Sequence, residues 1–235
     1  DPLWVFLFGG RMNTVSQAFD LGLQNTRTER PASTPFRGST LGGCLRAQHY
    51  AATGEEPSNP FEPRLYRIFE QGHVIADVLY KKLEASGLFD SIQFEVPVVW
   101  PEKNFSGNID ILVRWKGEEN EEVLELKSMN SRGFTYLKGP KPEHAIQAAS
   151  YALTREHLTG ATVGARVVYV SKDDFRIAEY TVDRDWYDKA LRVLDVGNKF
   201  LEQGRIPWRL PIADGQDVKK KWPCAGCQWL TKCRG

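Results

Sequence analysis

Three of the four cysteines in this 235-residue chain, Cys224, Cys227 and Cys233, crowd into "PCAGCQWLTKC" at the C-terminal end. The fourth, Cys44, stands in "GGCLRAQHY", 180 residues earlier (224 minus 44). If all four serve one ligand, the fold must bring its two ends together around whatever lies between. Closing residue 44 onto residue 224 encloses nearly the whole core in one loop and removes much unfolded-chain entropy. The C-x2-C-x5-C spacing argues against a disulfide pair, and an intracellular chain keeps its thiols reduced. Four thiolates suit a four-cysteine zinc site or an iron–sulfur cluster. On spacing alone zinc stands slightly ahead, although no second C-x2-C follows.

The chain is 41% hydrophobic and 26% charged, enough for one sizeable core. No apolar run approaches the roughly 20 residues of a membrane span, so no membrane partner and a cytoplasmic location are expected. The stretch Leu3 to Phe8 is too short for a span and lacks the basic start and cleavage site of a signal peptide. Met12 is a candidate natural start, and residues 1–11 are left out of the fold reasoning. Net charge is +1, so no global basic field advertises nucleic acid. The local clusters at Lys138 with Lys141, and at Lys219 to Lys221, read as solvated faces.

Residues 1–40 are expected to be a lead-in; from about Asn25 the polar, proline-containing "NTRTERPASTPFRGST" shows no apolar period. Residues 41–235 are expected to form one domain. From Arg64, Leu65, Phe69, Ala76, Leu79 and Leu83 recur at helical steps, with His73 at the edge of the apolar face. "SIQFEVPVVW" alternates as a half-buried strand does, and "GNIDILVRW" and "EEVLELKS" predict two more strands joined by "KGEEN". "KPEHAIQAASYALTREHL" predicts a helix with Pro142 near its first position. "ARVVYVS" and "RIAEYTV" read as strands and "DRDWYDKALRVLDVGNKFLEQG" as a closing helix. The order predicts one mixed α/β core with the cysteines appended at its ends.

Side chains in a strand alternate faces, so Glu125 and Lys127 share one face and Leu124 and Leu126 the other. If the two strands pair through "KGEEN", Asp110 of "GNID" lies beside them. Two converging carboxylates repel unless a cation sits between them, and hard oxygen ligands favour Mg²⁺ or Mn²⁺. A lysine alongside could hold a phosphate and stabilise a forming hydroxide. "ELK" alone is common on ordinary exposed strands, where such a pair is worth little. Here it sits inside an apolar strand directly after "ID". Then "QAASY" follows, with Gln147 and Tyr151 four apart on one helical face.

The ordered set of His73, "GNID" with Asp110, "ELK" with Glu125 and Lys127, and "QAASY" with Gln147 and Tyr151 resembles the RecB-type branch of the PD-(D/E)XK nucleases. The resemblance covers roughly Cys44 to Cys233. It implies an α/β restriction-endonuclease-like core, a central mixed sheet flanked by helices. It further implies that Asp110, Glu125, His73 and the Leu126 carbonyl hold the catalytic metal and that Lys127 orients or activates the attacking water. Gln147 and Tyr151 would hold the nucleic-acid backbone or brace the site. One cysteine before such a core and three after it is similar to the iron–sulfur clasp of the AddB nuclease domain and of the CRISPR-associated iron–sulfur exonuclease. Cys44, Arg46 and Tyr50 reproduce the C-x-R-x-x-x-Y entry of such proteins. The resemblance therefore implies a 4Fe–4S cluster on Cys44, Cys224, Cys227 and Cys233, acting as a staple.

The expected function is a metal-dependent exonuclease acting on single-stranded DNA or frayed ends, in DNA processing, recombination or CRISPR adaptation. No G-x-x-x-x-G-K-[ST] motor motif appears, so a helicase or CRISPR integration and recombination proteins are expected partners, and assembly into an oligomer is compatible with the resemblance. The rival is a non-catalytic DNA-end binding module, which should have lost a metal ligand or the lysine; a site-specific endonuclease is a third reading. His49, His144 and His157 read as ordinary polar or packing residues, Glu70 as solvent-facing, and Trp222 and Trp229 as packing around the clasp rather than as stacking platforms.

Overall fold

The computed structural model describes residues 14–26, 35–212 and 216–235. Six strands build one sheet: β1 (Phe36–Arg37), β2 (Phe89–Trp100), β3 (Phe105–Trp115), β4 (Glu121–Met129), β5 (Val163–Ser171) and β6 (Ile177–Thr181). β2 pairs antiparallel along β3, β3 antiparallel with β4, β4 parallel with β5, and β5 antiparallel with β6. The mixed sheet is flanked on both faces by helices, which in chain order among the described residues are α1 (Val15–Asn25), α2 (Gly38–Leu41), α3 (Leu45–Ala52), α4 (Pro63–Ala85), α5 (Ser131–Thr135), α6 (Pro142–Thr159), α7 (Arg184–Glu202) and α8 (Leu230–Arg234). On one side α6 (Pro142–Thr159) and α7 (Arg184–Glu202) cover a core that includes Phe105, Ile109, Val167 and Leu194. On the other, α4 (Pro63–Ala85) lays Ile75 and Leu79 over Ile111, Val113, Leu124 and Val168.

Local composition explains how close these helices sit. α6 begins at Pro142, whose fixed φ suits a first turn, and ends at Gly160, left-handed at φ 70°. Ala145, Ala148, Ala149 and Ala152 are all fully buried, so its backbone rests almost directly on the sheet. α4 departs from its sequence pattern. The buried stripe runs through Ile75 and Leu79, whereas Phe69 is 46% exposed. That end of the helix packs Phe69 on Phe61 and Tyr66, ring against ring.

Within the expected lead-in, the described residues form regular elements. Val15–Asn25 forms a helix, α1, held to α4 by a two-pronged contact of Arg67 with Asp20 at 2.6 and 2.7 Å. Phe36 is 1% exposed and pairs parallel with Phe105, so the chain enters the core before residue 41. A two-residue strand carries no readable alternation, which is why a polar, proline-containing stretch concealed it. Residues 1–13 and 27–34 of the lead-in lie outside the described residues.

Two irregularities of the sheet shape its centre. β2 occupies one edge of β3 along its length; on the other edge β1 takes Phe105 and Ser106 and β4 takes Ile111 to Val113. Residues 107–110 pair with neither, leaving a fork between β1 and β4. The second irregularity is a change of face. Ile92 and Phe94 pack into the α4 core, but Val96, Val98 and Trp100 pack into the α6–α7 core, although all share one parity. β3 changes likewise between Ile109 and Ile111. A regular strand cannot do this.

Candidate active site

Asp110 stands at the end of the fork, where β3 and β4 part. Its Oδ2 accepts the backbone N–H of Leu126 at 2.8 Å, a donor that the diverging ladder no longer pairs. Glu125 is fully buried, and the Lys127 ammonium lies 2.5 Å from its Oε1. Apart from that cation, neither Glu125 oxygen has a hydrogen-bond donor. Burial, reinforced by the neighbouring Asp110 carboxylate, pushes Glu125 up to about 8. Burial likewise raises Asp110 above the usual carboxylate range, against the pull of Lys127 and the Leu126 amide. For Lys127 burial favours the neutral form, but Glu125 and Asp110 outweigh it and the ammonium is held more firmly than in water. With both carboxyls ionised the cluster would be one positive charge short, so it holds a proton that a divalent cation could replace.

Strand alternation accounts for Glu125 and Lys127 sharing a face, with Leu124 buried on the other. On α6, Gln147 Nε2 donates to Tyr151 Oη at 3.3 Å, and both side chains are buried. The Tyr151 ring fills the gap between β1 and β3 so closely that a Cβ on Gly38 or Gly107 would fall 2.3 or 2.5 Å from it. These two residues thus lie under the fork, not on an open surface. His73 lies on α4 with its side chain 56% exposed, its Nδ1 3.8 Å from Glu95 Oε1. Among the described residues no three His, Cys, Asp or Glu side chains stand close enough to share one metal ion.

Two neighbours escaped the sequence reading. Glu95 opposes Asp110 on β2, and its charge adds to the upward pressure on that carboxyl. Tyr169, wholly buried and opposite Lys127 in the β4–β5 register, accepts the Lys141 N–H at 2.8 Å and meets His144 Nδ1 at 2.9 Å. Burial, with Lys127 and Lys141 nearby, takes His144 down to about 3, so it stays neutral. The parallel register that brings Tyr169 to Lys127 is non-local and leaves no sequence signal. His49 is buried, His157 stacks on Trp100 with ring centres 4.7 Å apart, and Glu70 is exposed.

At the far end, Cys44, Cys224, Cys227 and Cys233 line one small solvent-open pocket together with Arg46 and Tyr50. Burial raises the Cys227 thiol, and the other three cysteines add to the shift. Arg46 joins the two ends of the chain, donating to Tyr50 Oη at 3.0 Å and to the Pro207 carbonyl at 2.9 Å. Trp229 donates its indole N–H to the Glu55 carbonyl at 2.9 Å and packs on Tyr50, while Trp222 is 61% exposed.

No protein-family model matches the chain. No curated protein matches it either. Solved structures do. The alkaline exonuclease from Laribacter hongkongensis superposes with a TM-score of 0.50 at 15% identity, over 74% of this chain and 91% of that one. The crystal structure of SSO0001 gives 0.50 at 17% identity, over 92% and 93%. At these identities the likeness establishes the fold: an α/β architecture with a mixed central sheet, shared with a solved exonuclease. No helix among the described residues is long and apolar enough to cross a membrane.

Proposed function

We propose that this chain is a metal-dependent DNA exonuclease of the RecB-type PD-(D/E)XK kind, with a 4Fe–4S cluster clasping its ends. The carrying observation is Glu125: a fully buried carboxylate with no hydrogen-bond donor beyond Lys127, beside Asp110, in a fold shared with an exonuclease. Without a metal ion a proton meets the cost of burying Glu125 beside Asp110, and a divalent cation between the two carboxylates would take that proton's place. Asp110, Glu125, the Leu126 carbonyl and His73 would hold Mg²⁺ or Mn²⁺. The bound ion supplies a Lewis acid that makes water a nucleophile at neutral pH.

The protein's own groups do the rest. Lys127, pinned beside Glu125, orients the water and offers N–H donors where charge grows on the phosphoryl oxygens. Gln147 and Tyr151, buried and bonded to each other, brace the fork rather than grip substrate. In the cluster reading the four thiolates are structural. All four line one pocket at the junction of the two ends of the chain, which is what supports a shared ligand. Ends of single-stranded or frayed DNA, exposed by a helicase or by recombination or CRISPR integration proteins, are the proposed substrate.

The test is digestion of end-labelled single-stranded DNA by anaerobically prepared protein with Mn²⁺, Mg²⁺ or EDTA, beside Lys127→Ala and Asp110→Asn. Metal-dependent shortening from one end, lost in both variants, is expected. A folded, cluster-loaded wild type that binds DNA ends without cutting them would replace the enzyme with an end-binding module.

A further inference from the structure

Glu95 sits inside β2 with φ 51°, a left-handed backbone that a strand glutamate does not adopt unless its surroundings impose it. It lies between the Phe94–Ile111 and Val96–Ile109 pairs, directly opposite Asp110. These two residues are the points at which β2 and β3 pass from one core to the other. The carboxylate of Glu95 is half-exposed, and its one ion-pair contact among the described residues is Nδ1 of His73 on α4.

We propose that Glu95 is a positioning residue for His73: its carboxylate takes the imidazole Nδ1–H and so leaves Nε2 unprotonated for a divalent cation shared with Asp110 and Glu125. The inference rests on the metal reading above. A half-exposed histidine on a helix surface samples several rotamers and both neutral tautomers. A carboxylate on one ring nitrogen removes that freedom, which is how metal-binding histidines are commonly fixed. The 3.8 Å separation is within ion-pair reach and one small rotation from a hydrogen bond. The left-handed turn is what brings a β2 carboxylate beside both Asp110 and α4.

The decisive variant is Glu95→Gly, because glycine accepts φ 51° without strain and removes the carboxylate. Mn²⁺ binding is read by calorimetry, with no substrate present. The expected result is an unchanged or higher melting temperature together with Mn²⁺ affinity weakened on the order of 10- to 100-fold. Glu95→Gln, which keeps an acceptor, should lose less. His73→Ala should lose as much, and adding Glu95→Gly to it should lose nothing more. Wild-type affinity in Glu95→Gly overturns the inference, and so does a double variant whose losses multiply, since Glu95 would then act on the cation without His73. Asp110→Asn separates the two levels. If it too binds Mn²⁺ normally, the metal reading fails; if it does not bind while Glu95→Gly does, only the role of Glu95 fails.

Discussion

Glu125 decides how the metal-free protein responds to pH. Its carboxyl is raised to about 8 by burial and by Asp110, while in the unfolded chain it titrates in the ordinary glutamate range near 4.3. Between those values the native state holds a proton that the unfolded state has lost, so stability falls as pH rises across that window. In EDTA, the melting temperature should therefore drop from pH 5 to pH 8. Saturating Mn²⁺ should flatten the slope, because the ion replaces the proton. Glu125→Gln should flatten it without metal. Thermal denaturation by circular dichroism at four pH values, with and without Mn²⁺, checks all three, and a metal-free wild type that gains stability with pH would contradict the burial account.

At the scale of elements, α6 meets the fork in close contact. Tyr151 occupies the space that a Cβ on Gly38 or Gly107 would need. Gly107→Ala should cost about 1–3 kcal/mol by overpacking. In a Tyr151→Ala background the same substitution should cost far less, since the obstructing ring is gone. Urea unfolding of the four proteins tests this, and additive losses would mean that the ring is not the obstacle. Because the ring stands against Gly107, Gly107→Ala should also reduce the proposed nuclease activity more than its stability loss explains, by shifting Asp110 three residues on.

For the molecule as a whole, residues 46–59 meet Pro207 and residues 228–232, and the proposed clasp would lie across this junction. Hydrogen bonds already hold this junction: Asn59 donates its N–H to the Gln228 carbonyl at 2.7 Å, and Arg46 reaches the Pro207 carbonyl. A ligand across all four thiols would add a constraint on the unfolded chain worth about 5 kcal/mol for a loop of this length. Anaerobically purified protein should carry about four irons and four acid-labile sulfides per chain. Oxidative loss of the cluster should lower the melting temperature and open the segment after residue 205 to limited proteolysis, while the sheet stays resistant. Stoichiometric zinc without iron would replace the cluster with a mononuclear site.

Much of this molecule is local and was therefore legible in the chain itself. The five longer strands and the helices α4, α6 and α7 follow from two- and 3.6-residue periods, which any short window reveals. The pairing of Glu125 with Lys127 follows from the same alternation, and that of Gln147 with Tyr151 from one helical turn. The adjacency of Asp110 follows from a short connection between neighbouring strands. Tertiary structure decided the rest. A parallel register brought Tyr169 and His144 to Lys127, a two-residue strand drew Phe36 into the core, and a left-handed residue turned β2 across the sheet beside Asp110. None of these leaves a periodic trace, because each is set by chain segments far apart in sequence that compete for the same buried space.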